Sequence, residues 1–85
     1  MSEETDRVPV TLEEWPDDAE SDEGVIVNWF VREGATVEES DNLCEVQIDK
    51  VSIDVFAPVD GTVVEIVRGE EDEFTIDDTL AWIEP

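Results

Sequence analysis

Residues 46–55, VQIDKVSIDV, alternate apolar and polar side chains on either side of Asp49-Lys50, and Lys50 is the only lysine in the 85-residue chain. A two-residue turn at Asp49-Lys50 pairs Ile48 with Val51, Val46 with Ile53 and Cys44 with Val55, putting those six side chains on one face. Glu45, Gln47, Ser52 and Asp54 then share the opposite, polar face. Neither Asp nor Lys favours a positive φ, so the expected turn is type I. Glu45 stands opposite Asp54, a like-charge pair that is mildly unfavourable unless screened. Lys50 is left at the apex with its amine in water. A Schiff-base nucleophile needs a dry pocket or neighbouring cations, and Lys50 has Asp49 beside it and Asp54 nearby. An amine presented for modification by another enzyme fits better, because the modifier supplies the activation and the hairpin supplies the presentation. The plain alternative is a solubilising turn lysine, weakened here because every other cation in the chain is arginine.

Other chemistry finds little support. The chain has 26 Asp+Glu against 4 Lys+Arg, a net charge of −22, so carboxylates adjacent in sequence say nothing about acid/base work. Asp72-Glu73 and Asp77-Asp78 lack the Gly-containing loop spacing of a calcium-binding hand. With no histidine and one cysteine, neither a zinc site nor a disulfide framework is expected. Cys44 reads as a small buried apolar residue and Trp29 as core. There is no Gly-rich phosphate loop. Nucleic acid and anionic membranes are excluded as partners by repulsion. The acidic N-terminus has no apolar signal core, and no stretch is long enough to span a bilayer. A soluble, cytoplasmic protein is the expectation. The charge suggests an extreme halophile, because at molar salt the Debye length is about 3 Å and surface self-repulsion is screened.

The elements that must hold this hairpin come in two copies. Shifted by 37 residues, the sequence aligns with itself without a gap over 24–46 and 61–83. Gly24 meets Gly61, Val27 meets Val64, Asp41 meets Asp78 and Leu43 meets Leu80, with Cys44 over Ala81, Val46 over Ile83, and Val37 over Phe74. Two copies are too few for a solenoid, so each half is expected to complete the other's core. Residues 25–31, 43–48, 51–56, 62–67 and 80–83 read as strands, short, β-branched and bounded by turn residues. No window has a helical period. The expectation is all-β: a flattened barrel or two-sheet sandwich with an internal pseudo-twofold. Residues 1–7 read as a flexible acidic N-terminus and 8–85 as the domain. Residues 13–23, EEWPDDAESDE, read as an acidic surface loop that Trp15 either pins to the domain or leaves exposed.

The run Glu23-Gly24-Val25-Ile26-Val27-Asn28-Trp29-Phe30-Val31-Arg32-Glu33-Gly34 resembles the opening of a lipoyl domain. Val37, Asp41, Leu43-Cys44-Glu45-Val46, Ile48-Asp49-Lys50-Val51 and Val55-Phe56-Ala57-Pro58-Val59-Asp60-Gly61 continue in that family's order, over residues 8–85. The resemblance implies a flattened β-barrel with a modifiable lysine at one end and both termini at the other. Biotinyl domains share this fold but typically flank their lysine with methionines, and the only Met here is Met1. Lipoate joined by an amide to Lys50 is therefore implied, with Asp49 and Val51 orienting the tip for a lipoate ligase. Val51 departs from the small residue usual after the lysine, and Gln47-Ile48 from the common Glu-Thr. The implied role is a non-enzymatic swinging-arm carrier of acyl groups and electrons in a 2-oxoacid dehydrogenase complex. Its partners would be the decarboxylase, acyltransferase and dihydrolipoyl dehydrogenase components, and Glu45, Gln47, Ser52 and Asp54 are candidate contacts. The alternatives are a biotin carrier of a carboxylase and an unmodified binding module.

Overall fold

A computed structural model describes residues 7–12, 15–16, 19 and 21–85. Among them the β-branched runs form eight strands and no helix: β1 (Val8–Val10), β2 (Glu23–Trp29), β3 (Thr36–Val37), β4 (Asn42–Ile48), β5 (Val51–Phe56), β6 (Gly61–Ile66), β7 (Glu73–Thr75) and β8 (Ala81–Glu84). They build two antiparallel four-stranded sheets, ordered β1-β8-β6-β3 and β5-β4-β2-β7. Here these are sheet A and sheet B.

The 37-residue repeat holds at the level of individual backbone pairs. In sheet B, Val25 pairs with Gln47 and Ile26 with Val46, and a bulge then brings Asn28 opposite Glu45. In sheet A, Thr62 pairs with Glu84 and Val63 with Ile83, and a bulge brings Glu65 opposite Trp82. The short strands are exchanged between halves. First-half β3 pairs with second-half β6, and second-half β7 with first-half β2. The exchange puts Val37 opposite Gly61 and Phe74 opposite Gly24. Both glycines are required by space: a Cβ on Gly61 would lie 2.5 Å from the Glu84 carbonyl oxygen, and one on Gly24 would lie 2.8 Å from the Phe74 ring. Loop carboxylates brace the same junctions, Glu70 accepting the Trp29 N–H at 3.1 Å and Glu33 the Ile66 N–H at 2.9 Å.

The core lies between the sheets and draws on both copies. Ile26, Leu43, Val46 and Ile48 come from the first half, and Val63, Phe74, Leu80 and Ile83 from the second, all buried. Each contributes roughly 1.5–3 kcal/mol of transfer free energy, and no described polar or charged residue is buried with them. The buried set is thus shared between the two halves.

Several boundaries differ from the sequence expectation. β2 begins at Glu23 and ends at Trp29, ahead of the expected 25–31 span, because Glu23 and Gly24 pair with β7 and the ladder to β4 runs out at Trp29. β1, β3 and β7 were not expected at all. Glu73, outside every expected strand, opens β7. Trp29 is half-buried at the rim of the core, not inside it, and its indole N–H donates to the Arg68 carbonyl at 2.7 Å. Of the acidic segment 13–23, Glu23 belongs to β2. Trp15 is pinned, its ring edge-on to Phe74 at 5.9 Å and its indole N–H on the Ser21 carbonyl at 3.0 Å. Residues 13, 14, 17, 18 and 20, and residues 1–6 of the expected N-terminal segment 1–7, lie outside the described residues. No described helix is long and apolar enough to cross a membrane.

Candidate functional site

The hairpin β4–β5 has the register its alternation demanded. Ile48 pairs with Val51, Gln47 with Ser52, Val46 with Ile53, Glu45 with Asp54 and Cys44 with Val55. Cys44, Val46, Ile48 and Val55 are buried, Ile53 is half-buried, and Val51 at the tip is exposed. On the other face Gln47, Ser52 and Asp54 are exposed and Glu45 is half-buried. Lys50 is exposed at the apex, held out by two strands whose inner faces are anchored in the core.

The turn is not type I. Asp49, its first central residue, has φ +54, whereas a type I turn needs a negative φ there. Asp tolerates the left-handed region better than most residues, and the right-handed twist of paired strands favours positive φ in a two-residue loop. The Gln47 carboxamide helps hold the turn, donating to the Asp49 carbonyl at 3.2 Å. Gln47 thus contacts the tip itself.

A shallow groove of about 270 Å³ opens beside the tip, walled by Ser21, Glu23, Val25, Gln47, Asp49 and Glu73. Ser21, Glu23, Val25 and Glu73 were not assigned to a site by sequence, because two segments distant from the hairpin bring them to it. The one local signal was Ser21, whose hydroxyl accepts the Glu23 N–H at 3.1 Å and fixes the entry to β2. Lys50 lines neither this groove nor the larger one described below. The amine is presented to solvent, an arrangement suited to covalent loading by another protein and unsuited to Schiff-base catalysis.

The remaining candidates have structural roles. Burial pushes the Cys44 thiol up to about 12, with the Asp54 charge adding to the effect. Asp72 accepts the Gly69 N–H at 2.8 Å and Asp78 the Thr75 N–H at 2.9 Å, so both carboxylates close turns. The Thr75 N–H, with lesser help from Arg68 3.5 Å away, holds the Asp78 carboxyl below its usual range.

The family model for biotin-requiring enzymes, covering biotin and lipoyl attachment, matches residues 14–83. The chain belongs to the biotin/lipoyl attachment family. A dihydrolipoyllysine-residue acetyltransferase component of the pyruvate dehydrogenase complex from Staphylococcus aureus is 44% identical over 62 residues, 73% of this chain. The corresponding Staphylococcus epidermidis protein is 42% identical over the same length. This chain spans only 14% of the length of either relative. Among solved structures, the lipoyl domain of the 2-oxoglutarate dehydrogenase complex from Azotobacter vinelandii superposes with a TM-score of 0.73 at 23% identity, covering 92% of this chain and 96% of that one. The two-sheet architecture of this biotin/lipoyl domain is therefore shared with a lipoyl domain. An exposed lysine amine on a core-anchored turn suits the covalent attachment this family implies.

Proposed function

We propose that this biotin/lipoyl domain is a lipoyl carrier, non-enzymatic in itself, loaded on the Nζ of Lys50 by a lipoate ligase. The observation that carries the reading is the exposed Lys50 at the apex of a two-residue turn, flanked by Asp49 and Val51 without a methionine. Bound there, the lipoyl group would supply a disulfide for acyl and electron transfer. The protein's part is presentation. Ile48 and Val46 anchor the hairpin, Gln47 steadies the Asp49 carbonyl, and Asp49 and Val51 give the ligase a tip to read. Glu45, Gln47, Ser52 and Asp54 offer a polar face to the partners. The names of the relatives support a 2-oxoacid dehydrogenase complex as the setting, with decarboxylase, acyltransferase and dihydrolipoyl dehydrogenase components as partners.

The test is incubation with lipoate, ATP and a lipoate ligase, followed by intact and peptide mass measurement. The expected result is one lipoyl increment on the peptide containing Lys50 and none on Lys50→Arg. An increment only with biotin and a biotin ligase would make the protein a carboxylase carrier, the alternative that the shared family supports. No increment with either ligase would leave an unmodified binding module.

A further inference from the structure

The four strands at the sheet edges are unequal. β1 has three residues and carries Pro9, which has no N–H to donate; β3 has two residues and β7 three. Short strands and edge prolines are the usual means by which proteins prevent unwanted strand pairing. β5 is different: it has six residues, about 20 Å of backbone, and contains neither proline nor glycine. Among the described residues no strand pairs with its outer edge.

A groove of about 320 Å³ runs along that edge, between β5 and the β1 end of sheet A. Ile53, Val55 and Phe56 wall it on one side and Pro9 and Leu12 on the other, with Asp54 the only charged residue among its described walls. Phe56 is 53% exposed, the largest exposure among the described large hydrophobic residues. In a chain of net charge −22, this groove sets apolar side chains beside a strand edge that no described strand covers. The charge also identifies the occupant. A second copy would bring another 22 negative charges to the contact, so pairing of two β5 edges is opposed over the whole surface.

We propose that β5 is a docking edge for an extended, basic segment of a partner protein. The segment adds to sheet B by backbone hydrogen bonds, sets aliphatic side chains into the groove, and turns lysine or arginine side chains toward the acidic surface. The docking does not require modification at Lys50, which lies one residue before β5.

The test uses the uniformly 15N-labelled 85-residue chain, titrated in two-dimensional amide spectra at about 0.15 M salt. The probe is an acetylated, amidated seven-residue peptide of alternating lysine and valine. A second peptide of equal charge has its central valine replaced by proline. The expected shifts concentrate on residues 51–57 and 9–12, and the proline peptide binds about tenfold more weakly because it loses a ladder hydrogen bond. Phe56→Ser, at an exposed position, keeps a dispersed spectrum and weakens the first peptide by about tenfold through lost apolar burial. Lys50→Arg leaves the affinity unchanged. Equal binding of the two peptides, shifts spread evenly over the acidic surface, or no binding of either peptide would overturn the proposal.

Discussion

Glu71 stands where its repeat mate is Gly34, and both have the same backbone shape. Gly34 has φ +94 and donates to the Val63 carbonyl; Glu71 has φ +73 and donates to the Ile26 carbonyl. Only the glycine reaches that region without strain. Glu71→Gly is therefore expected to stabilise the fold by about 0.5–1 kcal/mol in urea unfolding. Gly34→Ala is expected to cost about 1 kcal/mol through its φ alone, since a Cβ there meets nothing within 4 Å. Cys44 makes a pH-dependent contribution of known sign. Its thiol ionises at 9.0 in the unfolded reference and is pushed up to about 12 in the fold. The folded state keeps the proton longer, so this stabilisation is complete below 9.0 and is lost as pH rises toward about 12. Wild type should lose stability relative to Cys44→Ala as pH rises from about 9 toward about 12, read as a difference in urea midpoints. Parallel curves would show that the thiol ionises alike in both states.

At the scale of strands, much of the fold was legible and the remainder was missing for definable reasons. The β4–β5 hairpin could be read residue by residue because its alternation admits one register, and a one-residue slip would expose Val46 and Ile48. The 37-residue repeat foretold two interdependent halves, and both bulges keep it in phase. β3 and β7 escaped because two or three residues cannot display a period, and each takes its partner from the opposite half. The φ of Asp49 escaped because residue preference argued against it while strand twist, a property of the assembled sheet, decided it. Lys50 could be found from composition and turn position, whereas the groove residues Ser21, Glu23 and Glu73 required the fold. Whether a strand lies at an edge also depends on the whole topology, so the edge position of β5 was invisible in its residues.

The whole molecule is governed by its charge. With 26 acids and 4 bases on 85 residues, and no charged side chain buried among the described residues, the folded state concentrates repulsion that unfolding relieves. Raising salt from about 0.01 M to about 1 M shortens the Debye length from about 30 to about 3 Å, and the thermal midpoint should rise steeply over that range. A midpoint that does not move would remove salt adaptation as the reason for the composition. The pairing of β1 with β8 has a different consequence. Val8 lies opposite Ile83, so the chain enters and leaves side by side, about one strand spacing of 4.8 Å apart. The short connection from Phe56 to Gly61 brings that end of sheet A beneath the end of sheet B farthest from Lys50. The domain is thus built like a plug-in cartridge. It can hang from one tether at either terminus or be spliced into a loop of a host chain by both, and in each case its lysine faces outward.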